Sequence, residues 1–430
     1  MIKQSPAPIV FSLFAAVLSV GEALGDDNWT NFRGPNDQGH VAAGAKLPVH
    51  WSETENIVWK TEVSGKAWSS PVIWEDRVWL TNASADGTWL AVICVDKRTG
   101  EVVMDKRLHD VRDPQACHNF NSYASPSPVI EDGRLYVSFG SPYNACLDSE
   151  TGQVIWERTD FICNHFRGPG SSPFLYDNLL IIHFDGSDQQ YVVALDKGSG
   201  RTIWRTDRTI DFQDIDPETG GPRQDGDYRK AFSTPVISQV AGRPLLISLG
   251  SKALYAYEPR TGREVWRMEA LGSHSGACRP VTGHGLVFAP LGSGGDLRAI
   301  HPDAHGLLED AHIAWTFDDA VCKRPSLLLV DEKLFMVNDS GVATCLEAIT
   351  GKELWQARIG NDFSASPIYS EGKIWLFDQE GKSTVIAADS KYRKVAQNQL
   401  DEGCMASPAV SANALYVRTR THLYRIQDRD

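Results

Sequence analysis

Short apolar runs, each closed by turn residues, recur along the chain: "GRLYVSFG", "NLLIIHFDG", "KLFMVND" and "KIWLFDQ". Their β-branched and aromatic content and their bounded length predict strands. A second kind of segment follows a Thr-Gly or Ser-Gly pair, as in "TGQVIW", "SGRTIW", "TGREVW" and "TGKELW". The glycine supplies a tight turn and the run behind it reads as another strand. No repeated stretch carries a helical period.

The two kinds of segment are phased by fixed marks. A small residue, an apolar one and usually an acid recur at Asp96, Asp148, Asp196, Glu258, His301, Glu347, Asp389 and Gln427. Ahead of each lies a proline, commonly after serine or threonine: Pro71, Pro128, Pro173, Pro235, Pro280, Pro325, Pro367 and Pro408. The chain therefore reads as eight units of about four strands, with four to seven residues expected in each strand. Units too small to bury both faces alone stack around an axis. The last unit stops at "THLYRIQ", one strand short, while "ENIVWKTEV" near the start matches an outer strand. The expected fold is all-β: an eight-bladed β-propeller of four-stranded antiparallel blades, closed by the N-terminal strand, which removes an open edge.

The acid, Thr-Gly and Trp in "CLDSETGQVIW", "ALDKGSGRTIW", "AYEPRTGREVW" and "CLEAITGKELW" resemble the tryptophan-docking motif of pyrroloquinoline-quinone-type propellers. Met104 replaces the tryptophan in the first unit, and the fifth delays it to Trp315. A flat indole needs a small neighbour, which assigns Cys94, Cys146 and Cys345, with Ala194, Ala256, Ala299 and Ala387, to packing rather than thiol chemistry. The opening "NWTNFRGPNDQGH" resembles exported bacterial propellers of the quinone-binding-like type. The resemblance implies two neighbours in architecture, outer-membrane protein assembly scaffolds and quinone-dependent alcohol or sugar dehydrogenases. Many of the dehydrogenases carry vicinal cysteines and a calcium set beside a catalytic aspartate. This chain has no adjacent cysteines and no matching acid and amide set, so no catalytic residue is assigned and no cofactor is required, pyrroloquinoline quinone being the one the resemblance would imply.

Composition narrows the classes further. With 42% hydrophobic residues the chain has material for a large core, and a formal charge of -13 opposes binding to nucleic acid. Residues 1–25 have Lys3, an apolar run from Ile9 to Val20 and Ala23 and Gly25 beyond it, the plan of a cleaved signal peptide. The run is shorter than the roughly 20 residues a spanning helix needs. The expected division is signal peptide 1–25, extension 26–54 and propeller 55–430, in a periplasmic or otherwise extracytoplasmic protein. Motifs for a phosphate-binding loop, covalent haem and a zinc protease are absent.

Candidate chemistry sits just before the prolines, where eight blades would deliver segments to one funnel. These contribute His118, His165, Arg167, Arg229, Lys230, His274, Arg279, Lys323 and Arg324, beside Trp68, Tyr123, Asn361, Asp362 and Met405. Crowded cations inside an acidic protein favour a small anionic ligand at the axis, because an arginine fork donates two hydrogen bonds to a carboxylate or phosphate. The alternative is that they pair with acids such as Asp227 and Asp362 and lock the ring without a ligand. Cys117, Cys163, Cys278 and Cys322 fall in the same segments and form either disulfides between adjacent blades or free thiols. Cys117, His118, Cys163 and His165 offer metal-ligand chemistry, as does the alternation of Asp214, Asp216 and Glu218, although Thr219 stands where a calcium loop wants glycine. The functional expectation is a ligand-binding or protein-interaction scaffold, with a small anion or cell-envelope proteins as partners.

Overall fold

In a computed structural model, which describes residues 27–429, the chain forms eight sheets around an axis. Seven sheets have four strands in consecutive antiparallel order, or the same order completed from the N-terminus. The closing blade joins Ala409–Ser411, Ala414–Arg418 and His422–Ile426 to Ile57–Glu62, which pairs antiparallel with His422–Ile426. The remaining sheet has a fifth strand, because Gly306–Leu307 runs parallel to Glu264–Glu269 and covers the edge of the fourth blade.

Burial explains the two kinds of segment. Middle strands lie between neighbouring blades and are apolar on both faces, as in Leu179–Asp185, which is buried throughout. Outer strands are largely exposed, and two of them bury a single residue at the centre, Trp156 in Val154–Arg158 and Trp204 in Thr202–Asp207. Each indole crosses to the next blade: Trp59 Nε1 donates to Lys97 O at 3.1 Å, Trp156 Nε1 to Lys197 O at 2.9 Å and Trp315 Nε1 to Ala348 O at 2.9 Å. At Gly200, φ is 72° and an added Cβ would stand 2.7 Å from the Trp156 ring. Only glycine admits both the turn and the ring. Cys94, Cys146 and Cys345 are buried directly across from Met104, Trp156 and Trp355.

Three details differ from expectation. The innermost strands are shorter, three residues each apart from Val236–Val240, since crowding at the axis leaves little room for a longer ladder. The sixth unit's counterpart of the prolines is Leu327, not Pro325, because its innermost strand begins at Leu328. In the seventh unit Val385, not Ala387, faces the outer strand, opposite Ala396; "AAD" lies two residues past the true position.

The residue before each of the other prolines, and before Leu327, builds the hub. At seven seams its backbone N–H donates to a hydroxyl on the next blade, over 2.8 to 3.1 Å: Ser70 to Ser127, Ser127 to Ser172, Ser172 to Thr234, Arg279 to Ser326, Ser326 to Ser366, Ser366 to Ser407, and Ser407 to Ser70. A preceding hydroxyl residue thus closes the ring at the turn where a ladder bond cannot form.

Residues 29–41 cross the bore. Trp29 bridges Ile73, Thr30 O accepts from Ile130 N, Gln38 Oε1 from Thr282 N, and Gly39 O from Tyr369 N. These contacts reach innermost strands of four blades, and His40 Nε2 reaches a fifth at Leu329 O, 2.6 Å away. The segment plugs one end of the channel.

Candidate functional site

At the other end the loops before the innermost strands surround a cavity of about 490 Å³, with all eight blades represented in its wall. Its floor is Phe32, carried by the plug, above the ring hydroxyls Ser70, Ser127, Ser172, Thr234, Ser366 and Ser407. Trp68, Phe120, Phe232 and Met405 give the wall apolar surface, and His118, Arg167, His274, Lys323 and Arg324 carry its basic groups.

The arginines of the mouth are already engaged. Arg167 sets its fork on Asp227, with Nε and Nη2 donating over 2.7 and 2.6 Å. Arg324 Nε donates to Asp339, while its guanidinium lies 4.2 Å from the centre of the Phe120 ring. Lys323 spends its backbone N–H on Asp339 Oδ2 at 2.7 Å. Its exposed ammonium has no ion pair among the described residues. Three cations against two carboxylates leave the lining at a formal +1. His118 Nδ1 accepts from Phe120 N at 3.2 Å, which puts the neutral ring's proton on Nε2. His274 Nδ1 lies 3.0 Å from Ser275 Oγ, and burial lowers its pKa.

Four expected members stand elsewhere. His165 is buried with Nε2 accepting from Ser141 N at 2.9 Å; burial, with the Lys230 charge second, drives its pKa down to about 3. Arg229 pairs with Asp214 over 2.8 and 2.7 Å, because residues 208–230 fold back on themselves. Lys230 is fully buried, 4.9 Å from the centre of the Phe232 ring, with no acceptor for Nζ, and burial lowers its pKa to about 8. Arg279 occupies the ring position that holds a hydroxyl elsewhere and turns into the plug: Nε donates to Pro235 O at 2.9 Å and Nη1 to Phe32 O at 2.8 Å.

The remaining assignments resolve similarly. Tyr123 faces away, donating to Gln115 O at 2.7 Å, and Asn361 reaches Glu380 at 2.9 Å. Asp227 does pair with a mouth cation, but the second partner is Asp339 rather than Asp362, which is exposed. All eight cysteines are free thiols; Cys278 and Cys322 sulfurs are 3.7 Å apart, whereas Cys163 faces Gln189 O at 3.8 Å. Asp216 accepts from Glu218 N at 2.8 Å as a turn cap, and Asp214 is buried rather than solvated. Among the described residues no group of three or more His, Cys, Asp or Glu is placed to hold a metal ion.

Asp339, Phe32, Phe120 and Phe232 were missed. Asp339 lies on a turn after Lys333–Val337, outside the pre-proline segments, and Phe32 comes from a stretch with no strand pattern. Phe120 and Phe232 lie in those segments, but a pattern of charged residues does not select them.

A family model described as "Outer membrane protein assembly factor BamB" matches residues 21–186, 91–297 and 188–430. An outer membrane protein assembly factor BamB from Yersinia pestis is 21% identical over 310 residues, 69% of this chain and 72% of the relative. A quinoprotein ethanol dehydrogenase from Pseudomonas putida is 28% identical over 177 residues, 38% of this chain but 26% of the relative. Among solved structures, a quinohemoprotein alcohol dehydrogenase from Comamonas testosteroni superposes with a TM-score of 0.66 and 11% identity, covering 94% of this chain and 81% of that one. At that identity the likeness concerns the fold.

Proposed function

We propose, for a chain that belongs to the propeller family described as outer membrane protein assembly factor BamB, an extracytoplasmic binding module that holds a small carboxylate-bearing molecule in its funnel. The observation that carries this reading is Lys323. Its ammonium stands without a carboxylate partner in a wall with aromatic rings, beside two arginines already engaged, Arg167 by Asp227 and Arg324 by Asp339. A ligand with one flat apolar face and a carboxylate uses both features: rings take the face, and Lys323 with His118 Nε2 takes the charge.

The quinone cofactor that the dehydrogenase relatives suggest is a flat tricarboxylate, and the funnel shares the rings such a molecule needs. The donor set departs from it in two respects. Both mouth carboxylates are occupied by arginines, and no metal-ligand group is assembled among the described residues. This supports binding without quinone-calcium chemistry, and no redox step is derived.

Thermal unfolding with benzene polycarboxylates tests the reading. A saturable rise in Tm that needs roughly tenfold more ligand in Lys323→Ala is expected; an unchanged Tm at millimolar ligand defeats it. Assembly of envelope proteins is a second reading, favoured by the family and by exposed apolar residues on outer strands, Val103, Ile155 and Ile203. Under it, charge reversal at those positions would remove co-purifying envelope proteins and leave ligand binding intact.

A further inference from the structure

Below Phe32 the plugged bore holds more positive than negative charge. Arg33 is 1% exposed and Arg279 0%. Among the described residues the carboxylate set against them is Asp37 alone, 3.0 Å from Arg279 and half-buried, so two buried cations against one acid leave a formal charge of +1. Hydrogen bonding is incomplete too. Arg33 Nη2 donates to Gln38 O at 2.8 Å. Arg33 Nε and Nη1 have no acceptor, and Arg279 Nη2 is out of hydrogen-bond alignment with its acid.

The protein does not supply the missing charge. Cys278, near enough to Arg33 to feel its charge, is held protonated because burial pushes its pKa well up. Water can satisfy the idle N–H groups but brings no charge, and a buried cation without a counter-charge is among the costliest arrangements a protein can adopt. The donors are also held in place. Arg279 is tied to Pro235 O and Phe32 O, and an added Cβ on Gly39 would stand 2.9 Å from Arg33 Nη2, so backbone walls that guanidinium in.

We propose that the bore binds one small inorganic anion of the halide class between the Arg33 and Arg279 guanidinium groups, completing the seam between plug and propeller. Guanidinium is a weakly hydrated, delocalised cation and pairs well with an anion that sheds water easily. This site lies under the funnel floor and does not depend on the ligand proposed above it.

Bromide serves as the probe on the full chain. Crystals grown in sodium bromide are expected to show an anomalous peak within hydrogen-bond reach of both guanidinium groups. At ionic strength held constant with gluconate, Tm is expected to rise by about 2 °C for each tenfold increase of bromide above its Kd. Arg33→Gln is expected to abolish that rise while keeping the response to benzene polycarboxylates. An ordered water in place of the peak, or a Tm indifferent to bromide, overturns the proposal. So does an ultraviolet thiolate absorbance that vanishes in Cys278→Ser, since the protein would then carry its own anion. The wild-type map decides the matter even if Arg33→Gln does not fold.

Discussion

The mouth and the floor of the same funnel solve the problem of crowded arginines differently. At the mouth, Arg167 and Arg324 each face a carboxylate, and the Arg167 side chain is still 45% exposed. At the floor, Arg33 and Arg279 are buried, and the one carboxylate near them, Asp37, pairs with Arg279. In water a displaced partner is replaced at small expense, whereas in the bore it is not. The mouth can therefore release its charges to a ligand, while the floor's charges tie the plug to the ring.

The largest effect is expected at the floor. Asp37→Asn leaves both guanidinium groups without a carboxylate and should cost about 3–5 kcal/mol, read from the denaturant midpoint. A loss comparable to that of a surface pair would show the bore to be wetter than its burial indicates.

Lys230 extends the comparison to a cation that is buried and unpaired, midway in kind between the two ends. Its folded pKa near 8 lies below the ordinary 10.5. Below about pH 8 the folded protein therefore holds a desolvated ammonium at full penalty. As pH rises toward 10.5 the folded state sheds that proton first, and the penalty fades. Lys230→Met is expected to raise stability at neutral pH by about 3 kcal/mol. The difference between variant and wild type should shrink over that window, as followed by urea unfolding at several pH values.

Smaller again is the mouth pair. Arg167→Ala should lower stability by no more than about 1 kcal/mol, with the deficit reduced further at high salt. Least of all, Lys323→Ala should leave the unfolding midpoint within about 0.5 kcal/mol of wild type while weakening the ligand response. Calorimetry with and without a benzene polycarboxylate separates those two readouts.

The ring itself was legible because its physics repeats. A hydroxyl residue before proline, a small residue opposite tryptophan and a glycine under the next indole each recur at a period the eye can find. Where a unit substitutes a neighbour of similar kind, the reading slips: the proline of "KRP" lies two residues short of Leu327, and "AAD" offers a small residue and an acid two places beyond Val385, which faces the outer strand. The site was legible in part, since Trp68, His118, Arg167, His274, Lys323, Arg324 and Met405 do meet. Position before a proline says that a loop approaches the axis, but not which way a side chain turns. Arg229 and Arg279 turn toward Asp214 and Asp37, partners set by an insertion and by the N-terminal plug, neither of which belongs to the repeat. The signal segment expected at 1–25 lies outside the described residues.

Calorimetric titration of a benzene tricarboxylate into wild type, Lys323→Ala and Lys230→Met tests the account most directly. The account predicts one saturable site in wild type, roughly tenfold weaker in Lys323→Ala and unaltered in Lys230→Met. Equal affinity in wild type and Lys323→Ala, or no heat at millimolar ligand, would contradict it.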